Sequence, residues 1–175
     1  SHDLTLVHQV HGTTILKDSE VQNFPQSKAD GIYTGEGAYT LGIKTADCLP
    51  LLLINKDNTF AVALHCGWRS LVSGILQKGL RLFEEKNISS DKILCLMGPA
   101  ISQNSFEVGP EVVEAFTKSS LGLSNEELRK VIIPGKKDRS HIHLSLTAVY
   151  FLLKNDLIPN NIYVDQTCTV KNMSN

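Results

Sequence analysis

Two neighbouring apolar segments limit the folds open to this chain more than any other feature. They are "LPLLLIN" at residues 49–55 and "TFAVALH" at residues 59–65, and neither contains enough polar residues to leave one face in water. Strands of that kind are typical of a sheet that is covered on both faces. The two segments therefore predict adjacent strands in the interior of a buried sheet.

Other segments predict further strands, and three predict helices. The further strands are "LTLVHQV" (4–10), "YTLGIKT" (39–45), "KILCLMG" (92–98) and "IYVD" (162–165). From Trp68 onward, apolar residues recur every three or four positions, which predicts one helix ending near "KNISS" (86–90). The other helices are "PEVVEAFTKS" (110–119) and "LSLTAVYFLLKN" (144–155), and residues 119–141 predict a short helix and a surface loop. This mixture belongs to the α+β class.

A register argument places a cysteine opposite a histidine. If "NKDN" (55–58) is a tight hairpin turn, residues whose numbers sum to 113 are paired, and Cys48 faces His65. Opposed Cβ atoms lie about 5 Å apart, so a thiolate and an imidazole there can share a metal or a proton. Pro50 weakens the argument, because proline gives up a ladder hydrogen bond and is common at bulges.

Two more histidines, His8 and His11, lie near the end of the first predicted strand. Gly12 is expected to permit the turn that leaves His11 at the rim of the sheet. Two histidines and one cysteine are the ligand set of a catalytic zinc, which keeps its fourth position open. The alternative is two rim histidines and a buried cysteine, and the sequence alone does not choose between His8 and His11.

Composition excludes several classes of protein. Hydrophobic residues make up 42% of the 175 residues, charged residues 20%, and the formal charge is −1. One domain over residues 1–175 is expected, with no nucleic-acid partner, because basic residues are not in excess. No signal-peptide pattern and no membrane-spanning apolar run is visible, so a cytoplasmic protein with reduced cysteines is expected. Nothing in the sequence specifies an oligomeric state.

Five motifs in order resemble those of the laccase-domain family, the YfiH or YlmD type formerly labelled polyphenol oxidase. They are "HQVHG", "ADGIYT", "TADCLPLLL", "HCGWRS" and "GPAISQNSFEVG". The resemblance implies that His11, Cys48 and His65 bind the metal, in preference to His8. It also implies two mixed β-sheets packed together and flanked by helices, in α/β/β/α layers. The family's terminal arginine motifs are missing, so the chain is expected to lack the N- and C-terminal segments of the family.

The resemblance implies a zinc-dependent purine nucleoside phosphorylase, with adenosine deamination as a second activity. The substrates would be a purine nucleoside and phosphate. The older label implies copper-dependent oxidation of phenols, so copper is the alternative metal. Six histidines are too few for several copper centres, and the count favours one metal.

Candidate site residues follow from these positions. The catalytic candidates are Cys48, His65 and Arg69, and the substrate-binding candidates are Asp47 and Glu107. Three of these candidates have a structural alternative. Asp47 could be a turn cap, and Arg69 and Glu107 could be solvated side chains. Trp68, Cys95 and Cys168 are expected to be structural, as is His8, while Cys66 and Ser70 replace a usual alanine and glycine of the family.

Two other functions are open from the sequence. Cys48 and His65 could form the nucleophile and base of a metal-free thiol hydrolase or deamidase. A regulatory binding module that keeps the fold without activity is the third possibility. Metal content separates the first two.

Overall fold

The structure, a computed structural model, describes residues 4–22, 26–35 and 40–170. Within them the strands are β1 (Leu4–Leu6), β2 (Ile15–Lys17), β3 (Gly31–Thr34), β4 (Thr40–Gly42), β5 (Leu49–Asn55), β6 (Ala61–Cys66), β7 (Ile93–Met97), β8 (Glu107–Val108), β9 (Ile132–Pro134), β10 (Ser140–Ile142) and β11 (Ile162–Val164). The helices are α1 (Trp68–Val72), α2 (Ile75–Glu85), α3 (Pro110–Lys118), α4 (Asn125–Val131) and α5 (Leu144–Lys154). The predicted α+β class is confirmed.

A six-stranded mixed sheet forms the centre of the fold, in the order β11-β7-β5-β6-β3-β2. Along β5 every second side chain is buried against the helices, while those between are half-buried on the other face. Strand β6 is buried along almost its whole length, as its apolar sequence predicts. Helix α2 packs closely on β6 because Gly79 has no side chain, and a Cβ there would lie 2.9 Å from Leu64 Cδ1.

The predicted hairpin register is wrong by two residues. Pro50 is paired with His65 and Leu49 with Cys66, so paired numbers sum to 115. The cause is a longer loop: the Asn55 side chain accepts the N–H groups of Thr59 and Phe60 and holds a wide turn. Cys48 therefore lies just before β5 and not opposite His65 in the ladder.

The helix predicted from Trp68 is two helices. The chain turns at Gly74, which has φ of +91°, a left-handed conformation that glycine adopts without a steric penalty. Helices α3 and α5 are confirmed close to their predicted bounds. The residues 119–141 contain the expected short helix, α4, but also β9 and β10, which join β8 in a three-stranded antiparallel sheet.

A second, smaller hydrophobic cluster covers the other face of the large sheet at one end. Ile32 of β3 packs there with Val7 and Leu41, next to the parallel pair β1–β4. The strand predicted at 4–10 ends at Leu6. In the segment predicted as a strand at 39–45, the observed strand is β4, and residue 39 lies outside the described residues. The smaller sheet thus packs against the larger one, with helices on the opposite face.

Among the described residues no helix combines the length and apolar character needed to cross a bilayer. The cytoplasmic location stays a prediction.

Candidate metal centre

Three side chains from distant parts of the chain meet at one end of the large sheet. They are His11, Cys48 and His65, and their ligand atoms all lie within 4.8 Å of one another. Cys48 Sγ is 3.9 Å from His11 Nε2, and the two imidazole rings are 4.8 Å apart between centroids. His65 is buried, Cys48 is half-buried and His11 is exposed, so the group opens to solvent on one side.

The backbone at His11 is unusual. Its φ is +59°, in the left-handed region, whereas Gly12 is not among the glycines with positive φ. The sequence predicted that Gly12 would make this turn, and that prediction is wrong. A non-glycine residue in this conformation costs about 1–2 kcal/mol, so other contacts must hold it.

Asp30 provides those contacts, and the sequence did not identify it. Its carboxylate accepts the backbone N–H groups of Val10 at 3.2 Å, His11 at 2.9 Å and Gly12 at 2.6 Å. The same carboxylate lies 2.8 Å from Nδ1 of His65. Asp30 is fully buried and therefore ties the turn carrying one ligand to the strand carrying another.

The charge on Asp30 is stabilised by this network. Burial by itself would raise the pKa of the carboxyl group, but the hydrogen bonds from His65 and from the three backbone N–H groups outweigh burial and lower the pKa. An ionised Asp30 accepts the Nδ1 proton of His65, which leaves Nε2 of that imidazole as the free ligand atom. In the sequence, Asp30 was visible only as the aspartate of the motif "ADGIYT".

Gly67 lets the ligands come together. A Cβ at this position would lie 3.0 Å from His11 Cδ2 and 3.1 Å from Cys48 Sγ, closer than ordinary contacts. Its backbone angles, φ −67° and ψ 162°, suit any residue. Glycine is therefore needed at position 67 because a side chain would collide with His11 and Cys48, and not because of its backbone angles.

We expect Gly67→Ala to weaken metal binding at this group by roughly tenfold, because the new methyl group displaces His11 and Cys48. Competition with a chromophoric chelator measures the affinity. Gly12→Ala is the matched control, since a Cβ there meets its neighbours at 3.5 Å and 3.7 Å, which are ordinary distances. Equal metal affinity in the two variants would show that the space at Gly67 is unimportant.

The donor set suits zinc. A tetrahedral ion with Zn–S near 2.3 Å and Zn–N near 2.0 Å holds its sulfur and nitrogen ligands about 3.5 Å apart, and the Cys48–His11 separation is 3.9 Å. Burial raises the pKa of the Cys48 thiol, and the negative charges of Asp47 and Asp30 raise it further. A cation is thus needed to convert Cys48 to a thiolate at neutral pH.

A cleft of about 150 Å³ opens beside the group, and two of its three members, His11 and Cys48, line it. Its polar lining residues are His11, Asp47, Cys48 and Arg69, and its apolar lining residues are Trp68, Ile101, Phe106 and Leu144. Trp68, predicted as core, is half-buried and carries the Arg69 guanidinium 4.4 Å above its ring. The cleft therefore combines a guanidinium group with several apolar lining residues.

Asp47 and Glu107 differ in their relation to this cleft. Asp47 lines it, and one of its carboxylate oxygens accepts the hydroxyl hydrogen of Thr169 at 2.7 Å. Glu107 lies on β8 paired with His141, with 3.9 Å between Oε1 and Nε2. Its neighbour Phe106 lines the cleft and Glu107 does not, so the substrate-binding role of Glu107 stays a prediction.

The described residues contain one group of three possible metal ligands. It leaves out His8, His141 and His143, while His2 lies outside the described residues. A single metal is consistent with the histidine count.

Comparison with known proteins gives a family. A family model described as "Multi-copper polyphenol oxidoreductase laccase" matches residues 1–175. The family expected from the five motifs is confirmed by this match. The purine nucleoside phosphorylase YfiH of Shigella flexneri is 39% identical over 110 residues, which are 63% of this chain and 44% of that protein. A protein named adenosine deaminase RL5, from an unknown prokaryotic organism, is 28% identical over 95% of this chain and 65% of its own length.

Solved structures agree with the fold. The Neisseria meningitidis protein NMB0706 superposes with a TM-score of 0.86 at 26% identity, covering 98% of this chain and 66% of that one. The YfiH protein of Bacillus licheniformis gives a TM-score of 0.85 at 23% identity, covering 96% and 65%. The matched part of the chain spans 44% to 66% of the length of these relatives.

Proposed function

Because the chain belongs to this laccase family, we propose that it cleaves purine nucleosides with phosphate at one zinc ion held by His11, Cys48 and His65. The C–N glycosidic bond breaks and its electron pair stays on the purine nitrogen, which gains the proton that hydrogen phosphate loses. A phosphate oxygen bonds to ribose C1, and the products are the free base and ribose 1-phosphate. The observation that carries the proposal is the three-ligand group beside an open cleft. Relatives named as purine nucleoside phosphorylases support the choice of reaction.

Zinc is preferred to several coppers on chemical grounds. One thiolate and two imidazoles form an open three-ligand zinc site, and the described residues offer no second group of three ligands. When bound, zinc would supply a Lewis acid that polarises a coordinated oxygen or nitrogen. The name of the family model mentions copper, so metal analysis is part of the test.

The chain's own residues bind and orient the two substrates and exclude water from the cleft. The stacked Arg69 guanidinium is suited to hold the phosphate, since it is permanently charged and offers paired donors. The second carboxylate oxygen of Asp47 can accept a hydrogen bond from a ribose hydroxyl. Ile101, Phe106 and Leu144 keep the cleft apolar, which disfavours water as a competing nucleophile.

Adenosine deamination is the second candidate, favoured by the relative named adenosine deaminase. The thiol-hydrolase alternative is disfavoured because burial and nearby carboxylates raise the pKa of Cys48, which leaves little thiolate at neutral pH without a metal. A binding module without activity is tested by the same assay.

The test is base release from adenosine and inosine, measured with and without phosphate on zinc-loaded and zinc-stripped protein. We expect about one zinc per chain by mass spectrometry and one ribose 1-phosphate per base released, only with phosphate and zinc. Inosine formed from adenosine without phosphate would establish the deaminase. Phosphate-independent phenol oxidation with copper uptake, or no reaction of any nucleoside under any metal loading, would refute the proposal.

A further inference from the structure

A second and larger cleft, of about 400 Å³, lies next to the metal cleft, which is the cleft lined by His11 and Cys48. Its walls are the residues that follow the carboxyl ends of the parallel strands β7 and β11, together with the first turns of α5. Ile101 lines both clefts, so the two share a wall. A ligand in the second cleft would therefore be separated from the first cleft by Ile101.

The size of the two clefts separates their roles. Sites for small organic ligands occupy roughly 300–1,000 Å³, and the metal cleft, at about 150 Å³, is below that range. A nucleoside bound at the metal must therefore extend beyond it. The second cleft is within the range and lies on the other side of Ile101.

Aliphatic side chains form about half of the lining of the second cleft. They include Leu146 and Val149 on α5 and Val164 at the end of β11, with Ile101 between the clefts. Apolar side chains beside polar groups suit a planar ring, whose faces are apolar and whose edge carries the polar groups. The ligand class is therefore a ring with a polar edge.

The polar groups of the cleft offer both an acceptor and a donor. One oxygen of Asp165 accepts the N–H of Thr167 at 2.8 Å, which leaves the second carboxylate oxygen for a ligand. Nδ1 of His143 accepts the N–H of Leu146 at 3.3 Å, so the neutral imidazole carries its proton on Nε2 and can donate it. Loss of hydration lowers the pKa of His143, which keeps the ring neutral.

We propose that this second cleft binds the base of the purine nucleoside, with Asp165 accepting from the base edge and His143 donating to it. A purine edge presents both kinds of group, for example the N7 acceptor and the amino donor of adenine. The negative charge of Asp165 would repel phosphate from the second cleft, which agrees with the proposal that Arg69 binds the phosphate. The assignment rests on the proposed function for its substrate class.

Two variants test the cleft without touching the metal ligands. Asp165→Asn removes the charged acceptor, and Val149→Trp fills the cleft from α5. We expect each to raise the KM for adenosine by roughly tenfold or more, with one zinc per chain retained. Leu153→Trp is the matched control: it places the same side chain on α5 at a position that does not line the cleft, and it should leave KM unchanged.

Binding of free adenine to zinc-stripped protein, measured by calorimetry, separates this inference from the proposed function. Saturable binding by the wild type that is lost in Val149→Trp supports the cleft assignment, even if the wild type cleaves no nucleoside and the proposed function fails. Equal adenine binding by the wild type and both variants, or equal KM values in an active enzyme, would overturn it. Thermal unfolding of each variant shows whether the fold is kept.

Discussion

His11→Ala, Cys48→Ala and His65→Ala are each expected to lose the bound zinc and abolish phosphate-dependent base release. Zinc binding to a four-ligand structural site is worth about 10–16 kcal/mol, so one ligand carries roughly 3 kcal/mol, or about a hundredfold in affinity. A site with three protein ligands keeps only two after one is removed, which is too few to hold zinc tightly. The measurements are zinc per chain by mass spectrometry and base release under saturating adenosine.

The three losses should be of similar size, and combining them should add little. Residues that act as one unit are strongly non-additive, because removing any of them removes the function of all. His8→Ala is the control, since His8 is on the same segment as His11 but outside the three-ligand group. It should keep both zinc and activity.

Cys48 separates the metal assignment from the thiol-hydrolase alternative. If Cys48→Ala were inactive while still holding a full equivalent of zinc, Cys48 would act as the nucleophile. If it kept both zinc and activity, Cys48 would have no part in the site. Zinc-free wild-type protein should react slowly with iodoacetamide at pH 7 and faster as pH rises, because the pKa of the Cys48 thiol is raised.

The sequence predicted the main strands and the three side chains that meet at the end of the sheet, but the geometric reasoning that linked them was wrong. The hydrophobic pattern located β5 and β7 to within a residue of the observed ends, because burial on a sheet leaves a strong local signal. The register failed because the Asn55 side chain widens the loop, which local propensity does not reveal. The ligands still meet, since Cys48 precedes β5 and approaches His65 across the end of the sheet.

Asp30 shows what the sequence could not supply. Its partners are the N–H groups of residues 10–12 and the imidazole of His65, which lie 18 to 35 positions away along the chain. No pattern of spacing links these residues. Only the folded backbone brings a buried carboxylate to the turn at His11, whose conformation the sequence had assigned to Gly12.

Asp30→Asn is expected to reduce zinc affinity by roughly 10–100-fold, the usual effect of removing the partner that orients a metal-binding histidine. The amide keeps the size of the side chain but not the charge that stabilises the Nδ1–H form of His65. Asp30→Ala removes the acceptor for three backbone N–H groups as well, and should lower the free energy of unfolding by about 3–5 kcal/mol. Chelator competition measures the first effect and urea unfolding of zinc-free protein the second.

The pH dependence of stability provides an independent measurement on zinc-free protein. The pKa of Asp30 is lowered in the folded state, so its ionised form stabilises the fold above the ordinary aspartate pKa, and this contribution is lost as pH falls through the lowered value. The stability difference between the wild type and Asp30→Asn should therefore be constant near neutral pH and shrink below about pH 4. Asp18→Asn is the control, because Asp18 is also buried but does not contact the metal ligands.

Nitrogen NMR of His65 decides whether Asp30 positions the ligand or only supports the fold. In zinc-loaded wild type we expect a proton on Nδ1, hydrogen-bonded to Asp30, and the metal on Nε2. Asp30→Asn should shift or broaden the Nδ1–H signal in parallel with the loss of zinc affinity, whereas Asp18→Asn should change neither. If Asp30→Asn lowered stability but left the Nδ1–H signal and zinc affinity at wild-type values, Asp30 would be a structural residue of the turn, and its part in positioning His65 would be disproved.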